Sequence, residues 1–218
     1  MRQRLYETAI NLITERGYAS TTLRDVAAAA GVSVGLLYKY FASKRAIVLE
    51  LYDQLSTDYA ARAAEMPSGK WHIRFLFALQ TSLDVLHPHR ETLASLVPVL
   101  VGSPEEGLFA SNTAFSRVRV ETVFQNAVVE AKDSPWAGLA VPLGRLLYLL
   151  HLAVILWWLL DKSPRQRATK GLLALLRRVL PAAALVLRVP PVPLFVRSID
   201  ALLRDALFQE PGRRLHYP

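Results

Sequence analysis

Apolar positions recur at helical spacing along most of this chain. Within residues 3–16, Leu5, Ala9, Leu12 and Ile13 fall on one face of a 3.6-residue period, and Gly17 supplies a stop. Thr22 is placed to cap a short helix over 22–30, with Leu23, Val26, Ala27 and Ala30 inward. Gly31 breaks it. Ser33 then caps a second short helix that ends near Phe41, and Ser43 caps a longer one running to about Glu65. Pro67, Ser68 and Gly69 form a linker. Further helices are expected over 70–87, 89–101, 105–132, 137–161 and 164–180, with Pro88, Pro104, Pro135 and Pro164 at their starts. Pro181 and the VPPVP run at 189–193 interrupt the tail, and a last helix covers about 194–209. Strand-like alternation and internal repeats are not visible. The expected fold is all-α: an N-terminal three-helix bundle (1–48), then a larger helical domain (49–218).

Residues 31–44, GVSVGLLYKYFASK, do not read as an ordinary core helix. Val34, Leu36, Tyr38 and Tyr40 fall on several sides, with Lys39 among them. Two short helices about a glycine turn make a helix-turn-helix. Gly31 eases a turn that can need a positive φ, and small Ala27 and Ala30 let the second helix cross the first closely. Val32, Leu37 and Phe41 are expected to pack inward. The outward side of the second helix is then free for a DNA groove.

The stretch TLRDVAAAAGVSVGLLYKYFASKRAIVLEL resembles the signature of the tetracycline-repressor (TetR/AcrR) family, carried by Thr22, the run from Val26 to Ser33, the run from Gly35 to Phe41, and Lys44. The resemblance covers about residues 5–55. It implies a homodimeric transcriptional regulator, usually a repressor, released from operator DNA when a small molecule binds the C-terminal domain. It also implies roles for single residues. Thr22 matches a phosphate-contacting cap, Ser33 the start of the recognition helix, Tyr38 a tyrosine on the DNA backbone, and Lys44 a phosphate-contacting lysine. Lys39 and Tyr40 lie on the same helix. Val34, Leu36 and Tyr40 depart from the residues common in the family. Val34 and Leu36 suit thymine methyl groups better than hydrogen-bonding base edges.

The net charge of +8 is unevenly spread. Residues 1–45 carry +4, residues 46–163 carry −3 and residues 164–218 carry +7. Basic ends suit phosphate or anionic lipid. Cysteine is absent, which removes disulfides, thiolate metal sites and a cysteine nucleophile. No phosphate loop, histidine pair at metal spacing or Gly-x-Ser-x-Gly turn is visible, so no enzyme, cofactor or metal is expected. The first eighteen residues lack a signal peptide's apolar run and carry Glu7 and Glu15, so a cytoplasmic location is expected.

The run LAVPLGRLLYLLHLAVILWWLL at 139–160 raises a rival reading, a membrane-associated helical protein that uses its basic ends on anionic lipid. Its charge-free core, Leu146 to Leu160, is 15 residues long and contains His151, against about 20 needed to span a bilayer. The favoured expectation is therefore a helix buried on both sides, with no membrane partner. Tyr148, His151, Ile155 and Trp158 fall within an arc of about 80°. They are expected to line an effector pocket with Phe75, Leu79 and Phe115, with His151, Arg119 and Gln80 as its polar contacts. Leu146, Leu149, Leu150, Ala153, Leu156, Trp157 and Leu160 lie on the other side. With Leu172 and Leu176 they are expected to pair two copies. The effector expected for such walls is small and hydrophobic.

Overall fold

The structure is a computed structural model that describes residues 1–208; among the described residues every regular element is helical. Helix α1 (Arg2–Arg16) buries Leu5, Tyr6, Ala9, Leu12 and Ile13 and stops at Gly17. Helix α2 (Leu23–Ala29) packs on it and α3 (Val34–Tyr40) packs on α2, and α4 (Lys44–Ala63) leaves the small bundle as one unbroken rod. The expected domain boundary at 48/49 therefore falls inside a continuous helix. Helix α5 (Trp71–Leu86) packs on α4, and both pack on α8 (Ala114–Val129). Helix α9 (Ala137–Leu160) runs along α8, and α11 (Val192–Leu207) runs along α9. Helix α10 (Arg167–Val186) touches α5 and α9 more lightly.

Four expected helix bounds are corrected. The helix expected over 89–101 is two, α6 (Arg90–Ser95) and α7 (Val97–Gly102), because Pro98 cannot donate into the preceding turn. The helix expected from 105 starts only at Ala114. Before it, Ser103 Oγ takes the N–H of Glu106 (3.1 Å), and Thr113 Oγ1 donates to the carbonyl of Gly107 (2.7 Å), which folds this stretch into turns. Pro181 does not end α10; it sits inside it, on the exposed side, where water can take the carbonyl left without a donor. The last helix begins two residues earlier than expected. Residue 209 and the tail of the expected domain 49–218 lie outside the described residues.

Three local devices hold the larger bundle together. Gly144 lets α9 lie against α8, since a Cβ there would sit 2.7 Å from the Cα of Gln125. Buried Arg74 donates to the carbonyls of Asn126 and Ala127 (3.0 and 3.1 Å), closing the C-terminus of α8. Arg90 does the same for α9, donating to the carbonyls of Trp158 and Asp161 (each 3.0 Å).

The apolar helix α9 is long and apolar enough to cross a membrane by length and composition. Here it is a core helix: Leu139, Leu143, Leu147, Tyr148, His151, Val154, Trp158 and Leu159 are all buried in protein. Its one cation, Arg145, is paired on both sides. It donates to Glu121 of α8 (3.1 Å) and to buried Asp200 of α11 (2.6 Å).

That pair is what fastens α11. Removing one partner of a buried pair costs about 3–5 kcal/mol, and Glu121 still neutralises Arg145, so the low end applies. Asp200→Ala should lower stability by about 3 kcal/mol in urea unfolding and speed amide exchange along α11. A loss under about 1 kcal/mol, with α11 still protected, would mean that the apolar contacts alone hold the helix.

Candidate DNA-reading helix and effector cavity

The two short helices are set by side-chain caps at both starts. The Thr22 backbone N–H donates to Asp25 Oδ2 (2.8 Å), and the Asp25 N–H donates back to Thr22 Oγ1 (3.2 Å). Ser33 Oγ takes the N–H of Leu36 (3.2 Å). Between them Gly31 has φ +64°, the left-handed region, and Arg4 donates to the carbonyl of Ala30 (2.6 Å). The turn is thus pinned from α1.

This geometry leaves one side of α3 bare. Leu37 is buried and Phe41 closes the end of the helix against the core. Ser33, Gly35, Tyr38, Lys39 and Tyr40 are exposed; Tyr38 is 53% accessible and Tyr40 39%. Val34 and Leu36 are half-buried, and Val34 packs against the core, so only their outer edges can reach a partner. Nothing inside the protein requires glycine at position 35, where a Cβ would meet open space.

Lys44 has partners within the protein. Its ammonium is turned inward: Nζ donates to the carbonyls of Tyr18 and Thr21 (the latter 2.7 Å) and sits 4.1 Å from the centroid of the Tyr18 ring. Burial holds its pKa below the ordinary lysine range. Two of its three donors thus position the segment that ends in the Thr22 cap, where a phosphate contact was expected. That segment is also tied to the larger bundle, since Tyr18 Oη donates to Glu106 (3.1 Å), and Arg45 at the start of α4 pairs with neighbouring Glu105.

In the larger bundle a cavity of about 540 Å³ lies among α4, α5, α8, α9 and α11. Tyr52, Leu55, Ser56 and Tyr59 of α4 form one wall. Ser116, Arg117 and Val120 of α8 form a second, and Tyr148, His151, Leu152 and Ile155 of α9 a third. Leu203 and Leu207 of α11 close it, and exposed Val101 and Ala153 mark its opening. His151 is buried: its Nε2 lies 2.8 Å from Ser82 Oγ, and its ring packs 4.6 Å from that of Phe124.

The expected pocket and the observed cavity share Tyr148, His151 and Ile155. The other expected walls are elsewhere. Phe75 and Leu79 are core, Phe75 packing on Phe124. Gln80 donates to Asp84 (2.9 Å) on its own helix. Phe115 is 40% exposed. Arg119 is not among the cavity walls itself, but it donates to Asp53 (2.9 Å) and to Ser56 Oγ (2.6 Å) of the α4 wall. Trp158 is buried behind α9, donating to Gln166 (3.0 Å). The cause is the rotation of α8: positions 113, 116, 117 and 120 face the cavity, so 115 and 119 do not.

The residues expected at a pairing face are spread over several surroundings. Leu149, Ala153 and Leu156 line the cavity. Leu146, Leu150, Leu172 and Leu176 are half-buried, while Trp157 and Leu160 are 50% and 56% exposed. Among the cavity residues that sequence reasoning missed are Tyr52, Tyr59, Ser56, Ser82 and Arg117, and the two tyrosines are the most legible. Their signal was present, two tyrosines seven apart on the helix that links the bundles.

Known proteins show the same frame. Residues 5–51 match the family model described as bacterial regulatory proteins, tetR family. The chain is 48% identical over 50 residues to the HTH-type transcriptional repressor KstR2 of Mycobacterium tuberculosis (strain ATCC 25618 / H37Rv), covering 23% of this chain and 25% of that protein. It is 33% identical over 72 residues to the HTH-type transcriptional regulator YerO of Bacillus subtilis (strain 168), covering 32% of this chain and 25% of that protein. These matches thus span about a quarter of each relative's length. The fold resembles that of the transcriptional regulator FadR from Bacillus subtilis, solved in complex with stearoyl-CoA: TM-score 0.62, 19% identity, 81% of this chain and 97% of that chain.

Burial pushes the His151 imidazole down to about 3 from the ordinary value of 6.5. Between those values the unfolded chain holds a proton that the folded chain does not. Stability is therefore full above about pH 6.5 and falls as pH drops towards 3. His151→Leu should flatten the fall between pH 6.5 and 5 by up to one proton, about 1.4 kcal/mol per pH unit. Urea unfolding at several pH values measures this. Equal slopes in both proteins would show that His151 titrates freely in the fold.

Proposed function

We propose, from the premise that the N-terminal domain of this chain belongs to the tetR family of bacterial regulatory proteins, that the protein is a cytoplasmic, homodimeric transcriptional repressor. It binds operator DNA through α3 and leaves it when a small hydrophobic effector fills the cavity. The observation that carries this reading is the double role of α4. Its first turn, through Lys44, fixes the loop before α2, and its next turns supply Tyr52, Leu55, Ser56 and Tyr59 to the cavity wall. A ligand that shifts this rod by a fraction of its width alters the aim of α3.

The side chains suit their roles. The exposed side of α3 offers a cation, Lys39, and two phenols, Tyr38 and Tyr40, for backbone phosphates. The half-buried edges of Val34 and Leu36 offer methyl groups to thymine. Gly35 keeps the centre of that side low enough for a close approach. The walls of the cavity are largely apolar, which favours a hydrophobic guest. The structurally similar FadR was solved with stearoyl-CoA, a molecule with a long apolar part, which is in keeping with this class.

Pairing has a surface to use. Trp157 and Leu160 of α9 and Leu175 and Val179 of α10 are each about half exposed, an apolar strip too broad for a lone chain to favour. A two-fold axis through it would cover both strips and set two α3 helices about 34–36 Å apart or a multiple, one turn of DNA each.

Selection of random duplexes by the purified protein should return a palindromic site, with affinity falling steeply between 50 and 200 mM salt. Gly35→Ala should leave stability equal or raise it by about 0.5–1 kcal/mol, since glycine is a poor helix former, yet weaken binding to the selected site at least tenfold. A variant that binds as tightly as the wild type would take Gly35 out of the interface. Failure to enrich any duplex would reject DNA reading altogether.

Assembly is checked by sedimentation. The wild type should run as a dimer at micromolar concentration, and Trp157→Arg with Leu160→Arg should run as a monomer with unchanged helix content. A wild-type monomer under those conditions refutes the proposed pairing.

A further inference from the structure

Arg117 is the only ionised side chain among the described residues of the cavity wall: no Asp or Glu lines it, and burial keeps His151 neutral. Elsewhere in the larger bundle Arg74, Arg119 and Arg145 each meet a carboxylate. Arg117 meets none among the described residues. Its Nη1 donates to the carbonyls of Leu108 and Ala110 (3.3 and 3.1 Å), which holds the guanidinium in place but does not neutralise it. Its Nε and Nη2 bond to nothing among the described residues. A half-buried cation beside an apolar space, with donors to spare, calls for an anion. Resting on the effector reading above, we infer that the cavity takes a free carboxylic acid with an elongated apolar tail, its carboxylate held by Arg117.

Arg117 stands at one end of the space. Helices α8 and α9 run antiparallel, with Gly144 against Gln125 and Arg145 donating to Glu121 (3.1 Å). Arg117, one turn before Glu121, therefore comes level with Tyr148. Two further observations agree. The guanidinium groups of Arg117 and Arg145 both lie by the Phe208 ring, 5.9 and 5.8 Å from its centroid. Burial pushes the Tyr148 phenol up, and the positive charge of Arg117 offsets part of that rise. From Tyr148 the cavity wall follows α9 to Leu159, eleven positions or about 16 Å along the helix. Leu152, Ile155 and Leu159 line that path, with Leu86 and Leu93 facing them. An acid group at the Tyr148 end, with its tail laid towards Leu159, uses both the charge and the length.

The chemistry of the guanidinium selects the acid. Nε and Nη2 form one edge of a planar fork, two parallel donors that match the two oxygens of a carboxylate. The charges also balance. One carboxylate cancels one guanidinium, whereas a phosphate monoester, with close to two negative charges at neutral pH, leaves charge unmatched in an apolar space. An alcohol leaves the cation unneutralised, and so does a CoA thioester, which has no charge where its tail meets its head. An amine adds a second positive charge beside the first.

A probe series of one tail length tests this on the full chain by calorimetry at neutral pH: decanoate, decanol, decylamine and decanoyl-CoA. Decanoate should bind at least tenfold tighter than decanol, the worth of a hydrogen bond to a charged group, and decylamine should bind weakest. Arg117→Gln should weaken decanoate at least tenfold and leave decanol within about twofold, while Arg117→Lys keeps most of the preference. Decanol binding by the Gln variant shows that its cavity is still formed, and the wild-type order of probes decides even if that variant does not fold. Decanoyl-CoA binding tighter than decanoate, or decanoate affinity untouched in Arg117→Gln, would overturn the inference. If decanol binds the wild type as tightly as decanoate, the inference falls and the hydrophobic-effector reading stands. If no probe binds while duplex DNA is still selected, both fall and DNA reading stands. If the preference for decanoate depends on Arg117 but no duplex is selected, the acid site stands and the regulator reading falls.

Discussion

One helix has to satisfy two cores. The first half of α4 buries Ile47, Val48 and Leu51, and its second half buries Leu55, Tyr59 and Ala63. A 20-residue helix is stiff over its own length, so its position in one bundle fixes its position in the other. The close fastenings follow from that constraint. Lys44 locks the loop that leads into the Thr22 cap, the Tyr18–Glu106 bond ties that loop to the far bundle, and the Arg45–Glu105 pair ties the start of α4 to it. Thr14 of α1 bonds Thr92 of α6 across the same seam (2.8 Å). The small bundle is thus anchored at several points around one rod.

The larger bundle puts its softest part beside that rod. Most of its interior is close-packed, as where Gly144 admits α8 against α9. The cavity is the exception, and Tyr52, Tyr59 and His151 on its wall each hold one buried polar atom without a partner. Helix α11 closes it through one buried ion pair and a few leucines, so the same element that covers a guest can open for its entry.

Much of this was legible in the sequence, for identifiable reasons. The caps at Thr22, Ser33 and Ser43 and the turn at Gly31 are local chemistry, and the structure uses each of them as expected. The inward residues of α1, α2 and α3 follow from periodicity. The cavity walls were harder, because they depend on how far each helix is rotated about its own axis. One residue of rotation on α8 exchanges Phe115 and Arg119 for Ser116 and Val120. On α9, apolar residues occur on all sides, so periodicity does not separate the cavity from the outer face: Leu149, Ala153 and Leu156, expected at a pairing face, line the cavity. The inward turn of Lys44 was not legible for another reason: its position marks the motif, but its direction depends on the Tyr18 ring, 26 residues earlier.

The central claim is that cavity and DNA-reading helix share one rigid element, so binding at either changes affinity at the other by the same factor. The most direct test is the dissociation constant for the selected duplex, measured by fluorescence anisotropy at fixed salt. It is read with and without decanoate at a concentration that calorimetry shows to fill the cavity. The account predicts at least tenfold weaker DNA binding with the cavity filled. An unchanged dissociation constant at full occupancy would contradict it.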